Sequence, residues 1–137
     1  MDLEPELLVD FYTKEVRSHL ELAVPVWHSG LTRRQSDDIE RIQRIILSII
    51  GSETNLNYDQ LCTLMDVEPL NLRRTQIAKN FALRTLKNPK YGHWFQKKEK
   101  HYNTRDKNDH YVEYNCLSLR YFKSPLPFLI RLLNNKQ

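Results

Sequence analysis

The residues able to do chemistry are few, and most of them stand alone. His28 and Ser29 adjoin within AVPVWHSGLT, residues 23–32, the types of a general base and a hydroxyl nucleophile. Such a pair works only when base, nucleophile and an orienting group lie within hydrogen-bond reach. Neighbours in sequence seldom face each other productively, and no carboxylate lies within the turn. His93, His101, His110 and Cys116 have metal-ligating types, but their spacings fit no zinc pattern. The chain has no H-E-x-x-H, C-x-x-C or G-x-S-x-G motif, and Gly30, Gly51 and Gly92 are too scattered for a phosphate-cradling loop. The expectation is no catalytic residue, no metal and no cofactor, with no small-molecule substrate. An independent hydrolase or nuclease would need two of the histidines to converge on a carboxylate.

What remains is phosphate-contacting chemistry, for which cations and amides are the relevant groups. Three sets present themselves. Arg33, Arg41 and Arg44 share a helix face with Asp37 and Glu40, and the acid-before-base pairs Asp37–Arg41 and Glu40–Arg44 weaken its field. Lys97, Lys98, Lys100, Arg105 and Lys107 crowd a stretch with no aliphatic residue, which suits affinity better than positioning. Arg73, Gln76, Asn80, Arg84 and Lys87 recur at steps of three and four with no acid among them. A helix would hold these donors in one row at intervals of ~5–6 Å, suited to a phosphate backbone. The candidate nucleic-acid contacts are therefore that row together with Lys97, Lys98 and Lys100. The competing reading is a polar stripe that merely solvates an apolar helix.

The elements that must position these groups are helices. Pro5 suits a first turn, and Leu8, Tyr12, Val16 and Leu20 come after it at intervals of four, which predicts a helix over 5–24. Thr32 can cap a helix over 32–50 that Gly51 ends, with Ile39, Ile42, Ile45, Ile46, Ile49 and Ile50 on one broad face. Further helices are expected over 57–66, 69–87 and 124–134, the last opened by Ser124–Pro125. YVEYNC and LSLRYF between them are rich in β-branched and aromatic residues and allow at most a small β-hairpin near 111–122. In the AVPVWHSGLT corner, Pro25 would end one helix, Trp27 plug the gap, Gly30 permit the reversal and Thr32 cap the next helix, with His28 a structural member. The fold class is all-α, with Trp27, Ile42, Ile46, Ile49, Leu70, Ile77, Phe81, Phe128 and Leu132 expected in the core. The expected division is a helical region over 1–95, a basic loop over 96–110, and short extended pieces with a final helix over 111–137.

With 137 residues and an apolar fraction of 40%, the chain can bury roughly two-thirds of its unfolded surface. The longest apolar runs fall far short of the ~20 residues of a membrane span, and two cysteines are too few for a disulfide framework. An intracellular setting, cytoplasm or nucleus, is expected. The net charge of +4 hides a gradient. Residues 1–31 carry six acids against Lys14 and Arg17, while residues 89–137 carry ten Lys or Arg against four acids. A basic C-terminal third is compatible with a nucleic-acid partner or with a solvated face.

VRSHLELAVPVWHSGLTRRQSDDIERIQRIILSII, residues 16–50, resembles the segment after the reverse transcriptase core in non-LTR, LINE-type retrotransposons. The shared pattern is an Arg-Leu-Glu helix, a P-V-W corner, L-T, and an I-E-x-x-Q helix. FALRTLKNPKYGHWF and RYFKSPLPFLIRLLN are similar to later blocks of the same polyproteins, in the same order. The resemblance covers about Leu7 to Asn135. It implies part of the thumb and the region beyond, which grips a template–primer duplex of RNA or DNA and works beside an upstream reverse transcriptase domain. The family's polymerase aspartates, in a motif such as A-D-D, have no counterpart here: Asp37–Asp38 comes after Gln-Ser and precedes Ile-Glu. Phosphoryl transfer needs carboxylates that hold metal ions, so the resemblance implies a truncated, non-catalytic fragment without palm or endonuclease. The alternative is a helical protein-interaction module with no nucleic-acid role.

Overall fold

Thr32 and Gln35 cap each other reciprocally at the start of the longest N-terminal helix. The Thr32 hydroxyl accepts from the Gln35 amide, and the Gln35 side chain accepts from the Thr32 amide at 2.9 Å. That helix, α4, runs Arg33–Ile50. In the computed structural model, which describes residues 4–52, 54–99 and 110–135, the protein is all-α. In chain order the remaining helices are α1 Pro5–Phe11, α2 Arg17–Leu20, α3 Val24–Trp27, α5 Tyr58–Leu64, α6 Leu70–Lys87, α7 Leu119–Phe122 and α8 Pro125–Asn134. A wide π-turn, Tyr12–Val16, joins α1 to α2. Among the described residues the only β-pairing is an isolated antiparallel bridge between Lys97 and Tyr111.

The π-turn has a reason in the apolar spacing. A step of four residues overshoots an α-helical turn of ~3.6 residues and drifts by about 40° each time. One wider turn cancels that drift and keeps Leu8, Tyr12, Val16 and Leu20 toward the interior, Tyr12 fully buried.

The AVPVWHSGLT corner is built differently from the expectation. The first helical stretch ends at Leu20, and Ala23, with φ 53°, makes the left-handed reversal. Pro25 stands in the first turn of α3 instead of ending its predecessor, because a proline there sacrifices no helical hydrogen bond. Gly30 has no positive φ, and a Cβ there would meet open space, so the reversal does not depend on it. Gly51 packs closely: a Cβ would lie 2.6 Å from Leu61 Cδ2 on α5, so that side chain would have to shift.

No hairpin forms over 111–122, within the upper bound of at most a small one; Tyr111 makes only the single bridge to Lys97. Ser118 caps LRYF, accepting from the Tyr121 amide at 3.2 Å, and this turns the aromatic run into α7. The Ser124 hydroxyl donates back to Tyr121 O at 2.7 Å, and α8 starts at Pro125.

The chain divides into two units. The first comprises Met1–Val24 and Leu31–Thr75, and its core is Tyr12, Leu47, Leu61, Cys62 and Val67. The second comprises Pro25–Gly30 and Gln76–Gln137, and its core is Ala78, Ala82, Phe95, Tyr111, Leu129 and Ile130. In the second unit the His28 ring packs edge-on against Phe128 at 5.5 Å, while Trp27 is half-buried. The Asn134 amide clamps the 111 segment by donating to Tyr111 O at 3.0 Å and accepting from Tyr111 N at 2.8 Å.

Of the expected core, Leu70 is fully buried, and Trp27, Ile46, Ile77, Phe128 and Leu132 are half-buried. Ile42, Ile49 and Phe81 are exposed, at 40%, 66% and 44%. The inward face of α4 is centred on Gln43 and Leu47, about a quarter-turn from the isoleucine centre. Gln43 there completes a buried polar network.

Candidate nucleic-acid interface

Gln43 is fully buried at the middle of the first unit. Its carbonyl accepts from the Tyr12 hydroxyl at 2.6 Å, and its amide donates to Tyr58 Oη at 2.9 Å and Glu68 O at 3.0 Å. Glu40, one turn earlier, accepts the Tyr58 hydroxyl proton at 2.5 Å. The same carboxylate accepts from the amides of Leu70 and Asn71, both at 3.0 Å, and so caps the N-terminus of α6. The I-E-x-x-Q spacing thus puts two polar side chains on one helix face, where they tie three elements together. Burial drives the pKa of Tyr12 and of Tyr58 well above the ordinary phenol value, with the Glu40 hydrogen bond adding to the effect at Tyr58. Cys62 is buried beside them, and desolvation pushes its thiol up, away from reactivity.

This network alters the first cationic set. Glu40 is committed to Tyr58 and α6, so the Glu40–Arg44 pair does not form, and the Arg44 guanidinium lies over the Tyr58 ring at 5.1 Å. Arg74, also fully buried, donates from Nη2 to Ser36 Oγ at 2.7 Å, while Nε and Nη1 have no hydrogen-bond partner among the described residues. Desolvation lowers its pKa, with Glu40 acting in the opposite sense.

The row on α6 splits in two. Arg73 is half-buried in the first unit and its Nε donates to the Glu21 carboxylate, which Arg17 also approaches at 3.5 Å. Its charge is therefore met by an acid that does not share its helix. In the second unit, Gln76 and Asn80 are exposed and bonded to each other at 2.9 Å, and Arg84 and Lys87 are exposed beyond them. The opposite side of this segment, through Ala78, Ala82 and Thr85, is buried.

Lys97 and Lys98 stand on the segment that pairs with 110–112: Lys98 N donates to His110 O at 2.8 Å and Val112 N to Gln96 O at 2.8 Å. Lys100, Arg105, Lys107 and His101 lie outside the described residues. Among the described residues no group of three or more His, Cys, Asp or Glu could hold a metal ion.

Charge is segregated between the units. The described residues of the second carry nine Lys or Arg against Glu99 and Glu113, whereas those of the first carry eight against eleven acids. Sequence reading placed the excess in the C-terminal third but passed over the aromatic side chains that share this unit's surface: Tyr91, Trp94, Tyr114 and Tyr121. The signal for them was present in YGHWF, YVEY and RYF, each close to a Lys or Arg. Compared with family models, curated proteins and solved structures, the chain matches none.

Proposed function

We propose that the chain is a thumb-like nucleic-acid-binding region of a LINE-type reverse transcriptase, non-catalytic by itself, that grips a template–primer duplex. The observation that carries the reading is the second unit's charge, nine cations to two acids in its described residues, with Arg84 and Lys87 exposed on a rigid helix. Phosphates are met by such a row at modest geometric cost, since the helix fixes the spacing and the polar ends need only turn outward. The residues that resemble the family's first block support the reading differently: Glu40, Gln43 and Thr32 shape the scaffold, and the contacts come from later in the chain.

Arg84→Glu with Lys87→Glu reverses the exposed half of the row. Duplex binding at low salt should fall by at least ten-fold in a variant of unchanged helicity, because two phosphate contacts become repulsions. Unchanged binding would sink the row as the interface.

A second reading, a helical protein-interaction module, is favoured by one observation. Ile42, Ile45 and Ile49 form an exposed apolar row along α4, at 40%, 47% and 66%. An upstream polymerase domain is the partner this row would suit under the first reading as well. Salt separates the two: phosphate contacts weaken steeply as salt rises, while an apolar contact responds little. No helix among the described residues is long and apolar enough to cross a membrane.

A further inference from the structure

Trp94 points outward where its neighbour Phe95 points inward, although both belong to the same short 3-10 turn, Gly92–Trp94, and its cap. Around it the second unit gathers further aromatic side chains. The Tyr91 ring lies 5.0 Å from Trp94, and His93 stands edge-on to Trp94 at 6.1 Å. The Tyr114 hydroxyl reaches Trp94 O at 3.4 Å, and the Tyr114 ring is 6.3 Å from Tyr121. Lys90 Nζ sits over the Tyr91 ring at 5.4 Å. Trp94, Tyr114 and Tyr121 remain 42%, 40% and 44% exposed.

Exposed aromatic rings in such number are unfavourable in water unless something covers them. The flanking charges say what. Lys90, Arg120 and Lys123 adjoin these rings in sequence, and the nearest acid along the chain, Glu113, is engaged by the Asn134 amide at 3.0 Å. Ring faces offer stacking to any base, and adjacent cations match phosphates, the combination by which proteins hold unpaired strands. A duplex cannot use it, since its bases are already stacked on one another.

We infer that the Lys90–Tyr91–Trp94–Tyr114–Tyr121 surface is a binding site for single-stranded nucleic acid, stacking unpaired bases on Trp94 and the tyrosines. The ligand is distinct from the duplex proposed for the α6 row, and neither site requires the other. Binding to a short oligothymidylate or oligouridylate, read by fluorescence anisotropy of the labelled strand at low salt, tests it. Trp94→Ala, and separately Tyr114→Ala with Tyr121→Ala, should weaken binding roughly ten-fold each with the salt dependence unchanged, because base stacking and not phosphate contact is removed. Lys90→Gln should instead flatten the log–log salt slope by about 0.7. Trp94→Phe, which keeps a ring, should retain most of the affinity and guards against mistaking misfolding for lost stacking. In Trp27→Phe, Trp94 is the single remaining tryptophan, and its fluorescence should be quenched by the oligonucleotide. The inference is overturned if folded Trp94→Ala binds the strand normally, or if no quenching occurs at low salt. It is equally overturned if a blunt duplex binds with the same dependence on Trp94, or if light scattering shows self-association that shields Trp94 from a soluble quencher.

Discussion

Gln43 is the side chain on which the first unit turns, since its amide is satisfied on both ends without water: Tyr12 on the carbonyl, Tyr58 and Glu68 on the nitrogen. Replacing it by leucine keeps the volume but strands the Tyr12 hydroxyl and the Glu68 carbonyl. Gln43→Leu should cost about 2–4 kcal/mol in urea unfolding, whereas Tyr12→Phe, which removes one partner of one bond, should cost about 1 kcal/mol. Equal losses would mean that packing and not hydrogen bonding dominates the site. The same network fixes an alkaline limit. Tyr12 has its folded pKa raised by burial, so the neutral phenol is favoured by folding. Its contribution is fully present below the unfolded value near pH 10 and is lost as pH climbs from there toward the higher folded value. Stability should therefore fall above about pH 10 by up to about 1.4 kcal/mol per pH unit for this group, and Tyr12→Phe should flatten that limb.

At the scale of elements, helix ends matter more than helix middles. α4 and α5 both start on reciprocal capping boxes, Thr32 with Gln35 and Asn57 with Gln60. Thr32→Ala should lower stability by about 1 kcal/mol in chemical denaturation, with Thr32→Ser close to neutral. Loss from both alike would assign the effect to the threonine methyl. The N-terminus of α6 has no local cap of this kind and takes Glu40 from α4 instead, a donor–acceptor match across 30 residues of chain. Periodicity exposed α4, α5, α6 and α8 within two residues of their ends, because apolar spacing and caps act locally. It merged α1, the π-turn and α2 into one helix over 5–24 that in fact stops at Leu20. The short pieces α3 and α7 were not legible, since four residues hold too little periodicity to outweigh the aromatic, strand-like composition of LSLRYF.

At the scale of the whole molecule, charge is the property that sorts the chain: cations collect in Gln76–Gln137 and acids in the segments before it. Duplex affinity should accordingly depend on second-unit cations alone. Arg84→Gln should reduce the log–log salt slope by about 0.9 for the one phosphate it would meet. Lys14→Gln, already paired with Asp10 at 2.7 Å, should leave the slope untouched. A slope that responded equally to both would point to diffuse attraction without an interface. Arg73→Ala should also spare binding while lowering stability modestly, because that guanidinium answers Glu21.

The sequence by itself determined the all-α class, the five principal helices, the Thr32 cap and the basic character of the C-terminal third, because each is written in neighbours within four positions or in simple charge. Tertiary structure decided which faces those helices turn inward. Six isoleucines mark one side of α4, yet the helix settles on Gln43 and Leu47, leaving Ile42, Ile45 and Ile49 in solvent. It decided, too, that Arg73 is answered by Glu21 and that Tyr114 lies beside both the Trp94 backbone and the Tyr121 ring. The physical reason is range: periodicity gives the direction of a side chain about its own helix, but the partner that fills or satisfies it comes from as far as 52 positions away, which no local pattern encodes.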